Sequence, residues 1–244
     1  MGSGDGPMSG GRDDRPGRFF PLLQRLIRLL RHPDRIPRAI RIHFFGEPAM
    51  IDWDIRARER GAASVLDDHY SSDEYHAVTA REKESLYPLL RQQLTGRERT
   101  VLDFGCGPGR FTGDLADITG GHVIGMDITA RLLALAPPHP NVEYVHCGAL
   151  RAEWTSFFDV IWINSVLGGL PDAEVTTLAR NLTGVLADGG LLFVIESTAL
   201  FPSGEVWRIR TREQITSLFP SVPLRHVGSR HDPGDELSIM AGRK

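Results

Sequence analysis

Val101-Leu-Asp-Phe-Gly-Cys-Gly-Pro-Gly109 carries an apolar run into three alternating glycines, and Val123-Ile-Gly-Met-Asp127 follows with a second apolar run ending on a carboxylate. Gly105, Gly107 and Gly109 fall after a strand pattern and before a helix pattern. Glycine there lets the backbone turn tightly and approach a ligand, and the helix N-terminus beyond it favours a negative group such as a carboxylate. A glycine turn alone is common in α/β proteins. An aspartate about 20 residues further on adds a second signal, because its two oxygens can accept both hydroxyls of a ribose. Together they specify an adenosine site. Arg110 stands where the dinucleotide fingerprint puts its third glycine, so the motif is GxGxG rather than GxGxxG, which disfavours a nicotinamide-dependent oxidoreductase.

Outward from this stretch the strand and helix patterns alternate, which implies parallel βαβ units. The expected order is a strand over Thr100 to Phe104, a helix from about Arg110, a strand over His122 to Asp127, a helix over Ala130 to Ala136, and strands over Val142 to His146 and Asp159 to Ile163. Pro171-Asp172 opens a helix whose face carries Val175, Leu178, Leu182, Val185 and Leu186, and Asp188-Gly189-Gly190 is expected to stop it before a strand over Leu191 to Ile195. A helix over Arg212 to Leu218 and strands near Leu224 to Gly228 and Leu237 to Ala241 follow, the last two joined by an Asp232-Pro-Gly-Asp235 turn suited to an antiparallel pair. Before the glycine motif, looser helical patterns cover Trp53 to Leu66 and Asp73 to Leu94, with Gly96 as the stop.

The chain has 244 residues and a formal net charge of -3, so nothing overall draws it to nucleic acid or an anionic membrane. Cys106 and Cys147 lie in no CxxC pair and cannot build a disulfide framework, which suits a reducing cytoplasm. No secretory apolar core and no long uncharged apolar run is visible. Residues 1–18 read as a solvated tail, 19–95 as a helical extension and lid, and 96–244 as the cofactor-binding core. Within the extension, Leu22, Leu23, Leu26, Ile27, Leu29 and Leu30 alternate with Arg25, Arg28 and Arg31 until Pro33 and Pro37 interrupt them. Such short amphipathic pieces dock on their own domain, self-associate, or attach peripherally to anionic lipid.

VLDFGCGPG resembles the first motif of the class I S-adenosylmethionine-dependent methyltransferases, with Asp103 its acidic residue, and GMDIT resembles their second. The likeness extends from about Arg81 to the C-terminus. Val145-His-Cys-Gly-Ala-Leu150 is similar to the third motif, but Gly148 stands where relatives carry the acidic residue that meets the adenine amino group, leaving the N–H groups of Ala149 and Leu150 for that contact. Phe158-Asp-Val-Ile-Trp-Ile-Asn-Ser165 resembles the fourth, which implies that Asn164 and Ser165 face the methionine end of the cofactor. Trp53-Asp-Ile-Arg-Ala57 and Tyr75-His76 followed by Arg81 resemble the helical lid of small-molecule methyltransferases, where a Tyr and an Arg close over that end. The resemblance implies a Rossmann-like, seven-stranded, mostly parallel sheet with an antiparallel last strand, helices on both faces and an N-terminal helical lid. It also implies S-adenosylmethionine as cofactor, S-adenosylhomocysteine as product, and cofactor contacts at Asp103, Phe104, Gly105, Cys106, Gly107, Asp127, Ile128, Ala149, Leu150, Asn164, Ser165, Tyr75 and Arg81.

Many relatives carry a His pair after the fourth strand, where this chain has Val166-Leu-Gly-Gly-Leu170. Gly168 and Gly169 either leave room for a substrate or pack the turn. Methyl transfer is an in-line displacement that demands alignment, and a hydroxyl acceptor also needs a base. The candidates are His76 first, then His69 and His231, with Glu196 as a carboxylate alternative. No diagnostic carboxylate cluster points to a metal, although a divalent ion assisting a hydroxyl is compatible with the chemistry. The expected reaction is O-methylation of a sugar or natural-product hydroxyl. The rivals are N-methylation of a small amine and a non-catalytic protein that keeps the fold for binding.

Overall fold

A computed structural model of the protein describes residues 1–2, 51–198, 207–232 and 235–244. The leucine- and arginine-rich pieces between Pro21 and Phe45 lie outside the described residues. Seven strands form one sheet: β1 (Thr100–Phe104), β2 (His122–Asp127), β3 (Val142–His146), β4 (Phe158–Asn164), β5 (Leu186–Ser197), β6 (Arg225–Asp232) and β7 (Asp235–Arg243). Their order is β3-β2-β1-β4-β5-β7-β6, parallel from β3 to β5 and antiparallel where β7 enters between β5 and β6. The order reverses between β1 and β4, and a crevice opens at the carboxyl ends of strands at such a switch point.

The central strands are buried on both faces, as parallel strands covered by helices must be. Along β4, Val160 and Trp162 join one core with Val101, Phe193 and Ile195, while Ile161 and Ile163 join the other with Leu102, Leu192 and Val194. Helix α1 (Trp53–Arg60) begins at an Asp52 cap that accepts Ile55 N at 3.0 Å. Helix α2 (Tyr75–Gln93) follows a capping box of Ser71 and Glu74, and lays Leu86 and Leu90 against the Val101 core. Helices α3 (Thr112–Thr119), α4 (Ala130–Leu133), α5 (Asp172–Val185) and α6 (Arg212–Leu218) complete the layers. Helix α5 covers the opposite core with Val175, Ala179, Leu182 and Val185. Among the described residues no helix is long and apolar enough to cross a membrane.

Three local expectations shift. The pattern over Trp53 to Leu66 is helical only to Arg60, because Gly61 takes φ 57 and a 3-10 turn over Gly61–Val65 follows. The pattern over Ala130 to Ala136 is helical only to Leu133, where the approach of Pro137 disfavours a helical Ala136. Asp188-Gly189-Gly190 does not stop α5. That helix has already given way at Leu186, and the three residues lie inside β5, where the register jumps from Phe158 opposite Leu186 to Val160 opposite Leu191.

Candidate active site

At the carboxyl ends of β1, β2 and β4 lies a cavity of about 640 Å³, a size suited to a cofactor and a small acceptor. The loop leaving β1 is anchored twice, since Gly105 N and Cys106 N donate to Met126 O at 2.8 and 3.0 Å. Gly105 holds φ 73, and a Cβ there would come within 2.4 Å of Val166 Cγ2, so any side chain here is both strained and crowded. Asp127 closes β2 with both oxygens oriented: Gly107 N donates to Oδ2 and Thr129 N to Oδ1, each at 2.8 Å. An ionised carboxylate accepts about four hydrogen bonds, so Asp127 keeps capacity toward the cavity it lines.

Of the expected cofactor contacts, Asp103, Phe104, Gly105, Cys106, Gly107, Asp127, Ile128, Ala149, Leu150, Asn164 and Ser165 all line this cavity. Asp103 sits deepest, 3 % exposed, accepting from Thr112 Oγ1 at 2.6 Å. Burial pushes its carboxyl up to about 7 against that hydrogen bond, and the nearby Asp127 charge adds to the rise. Ser165 takes φ 56, uncommon for a side-chain-bearing residue, and its N–H donates to Ile195 O at 2.8 Å. Gly148 also lines the cavity, and a Cβ there would meet only Ile128 Cγ2, at 3.7 Å. The missing acidic residue is thus not excluded by crowding, and the apolar Ile128, Leu132 and Leu150 line the same cavity.

Of the expected lid, the Trp53–Ala57 part reaches the cavity through Trp53 and Arg56. Tyr75 is half-buried with its ring 5.1 Å from that of His76, and neither they nor the exposed Arg81 line the cavity. The lining residues from this side are Ile51, Trp53, Arg56, Glu82 and, in the segment Ser64 to Tyr70, all but Asp68. Two arginines of α1 hold that segment in place: Arg56 donates to Ser64 O at 2.5 Å and Leu66 O at 2.7 Å, and Arg60 to Tyr70 O at 2.7 Å. Sequence reading missed them because a hydrogen bond from an arginine to a loop carbonyl leaves no periodic trace.

Among the candidate bases only His69 lines the cavity. Its Nδ1 lies 2.7 Å from Asp67 Oδ1, which also accepts the His69 backbone N–H at 3.1 Å. An imidazole that donates Nδ1–H to a carboxylate presents Nε2 as the acceptor. His76 and His231 are exposed and lie outside the lining. Glu196 is 2 % exposed and already engaged by three successive N–H groups, those of Val166 at 2.7 Å, Leu167 at 2.6 Å and Gly168 at 3.3 Å. Burial pushes its carboxyl up to about 7 even so.

A charged network bounds the remaining side. Buried Glu82 of α2 accepts from Arg110 and lies 3.2 Å from Arg230 Nη1 of β6, which is 3.6 Å from Asp232; the Tyr70 hydroxyl donates to Asp232 in turn. Arg110, read from sequence only as a missing glycine, therefore ties the glycine loop to the lid helix. Among the described residues no group of three His, Cys, Asp or Glu is placed to hold a metal ion.

Residues 101–190 match the model of the family described as "Methyltransferase domain". Phosphoethanolamine N-methyltransferase of Triticum aestivum is 29% identical over 153 residues, 59% of this chain and 28% of that protein. Trans-aconitate 2-methyltransferase of Methylobacterium radiotolerans is 38% identical over 100 residues, 39% of this chain and 37% of the relative. The chain thus spans about a third of the length of these curated relatives. The fold is shared with N-methyltransferase NodS from Bradyrhizobium japonicum in complex with S-adenosyl-l-homocysteine, with a TM-score of 0.59 at 19% identity over 80% of this chain and 99% of that one. Residues 101–190 are thus similar to a methyltransferase domain, on a fold shared with NodS.

Proposed function

We propose that the protein is an S-adenosylmethionine-dependent methyltransferase that methylates a hydroxyl of a small molecule, with His69 as the base. The observation that carries the cofactor reading is Asp127, a carboxylate fixed by two backbone N–H groups at the end of β2 and facing a cavity lined by Gly105, Gly107, Asn164 and Ser165. These residues fit the cofactor: Asp127 takes the ribose hydroxyls, Ile128, Leu132 and Leu150 bracket the base, and the glycine loop admits the amino-acid end. When bound, the cofactor supplies a methyl group on a sulfonium, an activated leaving group.

The rest falls to the chain itself. The β4 turn at Asn164 and Ser165 positions the acceptor hydroxyl, and the lid residues around Tyr70 exclude water. His69, oriented by Asp67, removes the hydroxyl proton at Nε2. The matched relatives are named for an amine and an acid, which supports a small-molecule acceptor. Two measurements test the reading. S-adenosylhomocysteine should raise the melting temperature and NADH should not, since a ligand at about 100 times its Kd stabilises the native state by about 2.7 kcal/mol. Release of S-adenosylhomocysteine should then be seen with a hydroxyl acceptor in a panel of phenols, saccharides and amines. Stabilisation by NADH alone would overturn the cofactor reading, and turnover confined to amines would overturn the role of His69.

A further inference from the structure

We propose that Trp207 is the stacking wall of the acceptor pocket and selects an acceptor with a planar aromatic ring, an inference that rests on the site being one of methyl transfer. The glycine pair after β4 makes the room. A Cβ on Gly168 would come within 1.7 Å of Trp207 Nε1 and 2.2 Å of Cε2, and one on Gly169 would lie 3.4 Å from Cζ3. The pyrrole ring therefore lies over one glycine and the benzo ring over the next, flat along the turn. The indole rests on the glycine pair and is itself part of the cavity lining.

The turn beneath the indole, and the backbone that follows Trp207, are tied together. Arg208 N donates to Gly168 O at 2.8 Å, and Arg210 donates to Leu167 O at 2.6 Å, to Leu170 O at 2.8 Å and to Asp172 at 2.6 Å. From beneath, Glu196 accepts the N–H groups of Val166, Leu167 and Gly168. A wall fixed in this way loses little freedom when a ligand stacks on it. Of the lining residues, Val166, Gly169 and Leu170 bring no side-chain donor or acceptor, and polar groups come from Glu174, Thr177, Asn181 and Ser197. A saccharide laid on the indole would leave the hydroxyls of that face without partners, whereas a phenol or hydroxyquinone buries an apolar ring face and keeps one hydroxyl for the Asn164 and Ser165 end.

The test is calorimetric titration of 2-naphthol, and separately of methyl glucoside, into the full chain saturated with S-adenosylhomocysteine. Wild type should bind 2-naphthol. Trp207→Leu should weaken it roughly tenfold or more, Trp207→Phe should retain it within about threefold, and both should bind S-adenosylhomocysteine as wild type does. Gly168→Ala keeps the indole in the chain but pushes it off the turn, and should weaken 2-naphthol as Trp207→Leu does. Unchanged 2-naphthol binding by Trp207→Leu and Gly168→Ala, or wild-type binding of methyl glucoside in preference to 2-naphthol, would overturn this proposal alone. Failure of wild type to bind S-adenosylhomocysteine would overturn the methyltransferase reading and this inference with it.

Discussion

Gly105→Ala tests the glycine loop at its most crowded point. Alanine would have to adopt φ 73, a left-handed conformation that costs an L-residue about 1–2 kcal/mol. Its Cβ would also sit 2.4 Å from Val166 Cγ2 and 3.3 Å from Cγ1, and overpacking of this kind costs about 1–3 kcal/mol. The two terms give a total loss of about 2–5 kcal/mol. They can be separated, because Val166→Ala removes both γ-carbons and leaves only Val166 Cβ, at 3.5 Å, an ordinary contact. In a double-mutant cycle the Gly105→Ala cost should therefore fall by about 1–3 kcal/mol when Val166 is already Ala, leaving the backbone strain. The assay is denaturant unfolding of the four proteins, with S-adenosylhomocysteine affinity measured in parallel. Additive costs, with no coupling between the two positions, would refute the close approach of this loop to the turn after β4.

Asp127→Ala should weaken S-adenosylhomocysteine by about 1–3 kcal/mol, or roughly fivefold to more than a hundredfold by calorimetry, since it removes the ribose acceptors and releases the Gly107 and Thr129 N–H groups; an unchanged affinity would sink the ribose assignment. His69→Ala should lower turnover about 100-fold or more while cofactor affinity holds, and His76→Ala should leave turnover near wild type. The reverse pattern would return the role to His76. Glu196 supplies a pH test: its folded carboxyl is raised from 4.5 to about 7, so the stability it contributes is complete below pH 4.5 and disappears as pH rises through about 7. With each pKa unit worth about 1.4 kcal/mol, wild type should lose about 3 kcal/mol relative to Glu196→Gln across that window in thermal melts; parallel pH profiles for the two proteins would contradict this.

The sheet was readable in advance where burial on both faces makes a strand an unbroken apolar run, as in β1, β2 and β4. The cofactor end of the site was readable for a related reason: Gly105, Gly107 and Asp127 are constrained by backbone geometry, and such constraints are local in sequence. The acceptor end was not. Glu82 and Arg110, or Tyr70 and Asp232, meet only because the sheet brings distant segments together, and no spacing rule links them. His76 stood out in the sequence by its neighbours Tyr75 and Arg81, yet none of the three lines the cavity, whereas the Arg56- and Arg60-bound segment brings His69 to it. Gly168 and Gly169 could be read as room without any indication of what fills it; Trp207 lies across a long chain separation.

Strand β7 is synthesised after everything it joins. Until residues 235–243 emerge from the ribosome, β5 shows an open edge from Leu191 to Ser197 and β6 has no partner to carry Arg230 and Asp232 to the cavity. At about 5–20 residues per second, the nascent chain holds that apolar edge bare for several seconds while the remaining residues are added. A chain cut short just before β7 would keep that edge bare and be prone to aggregation.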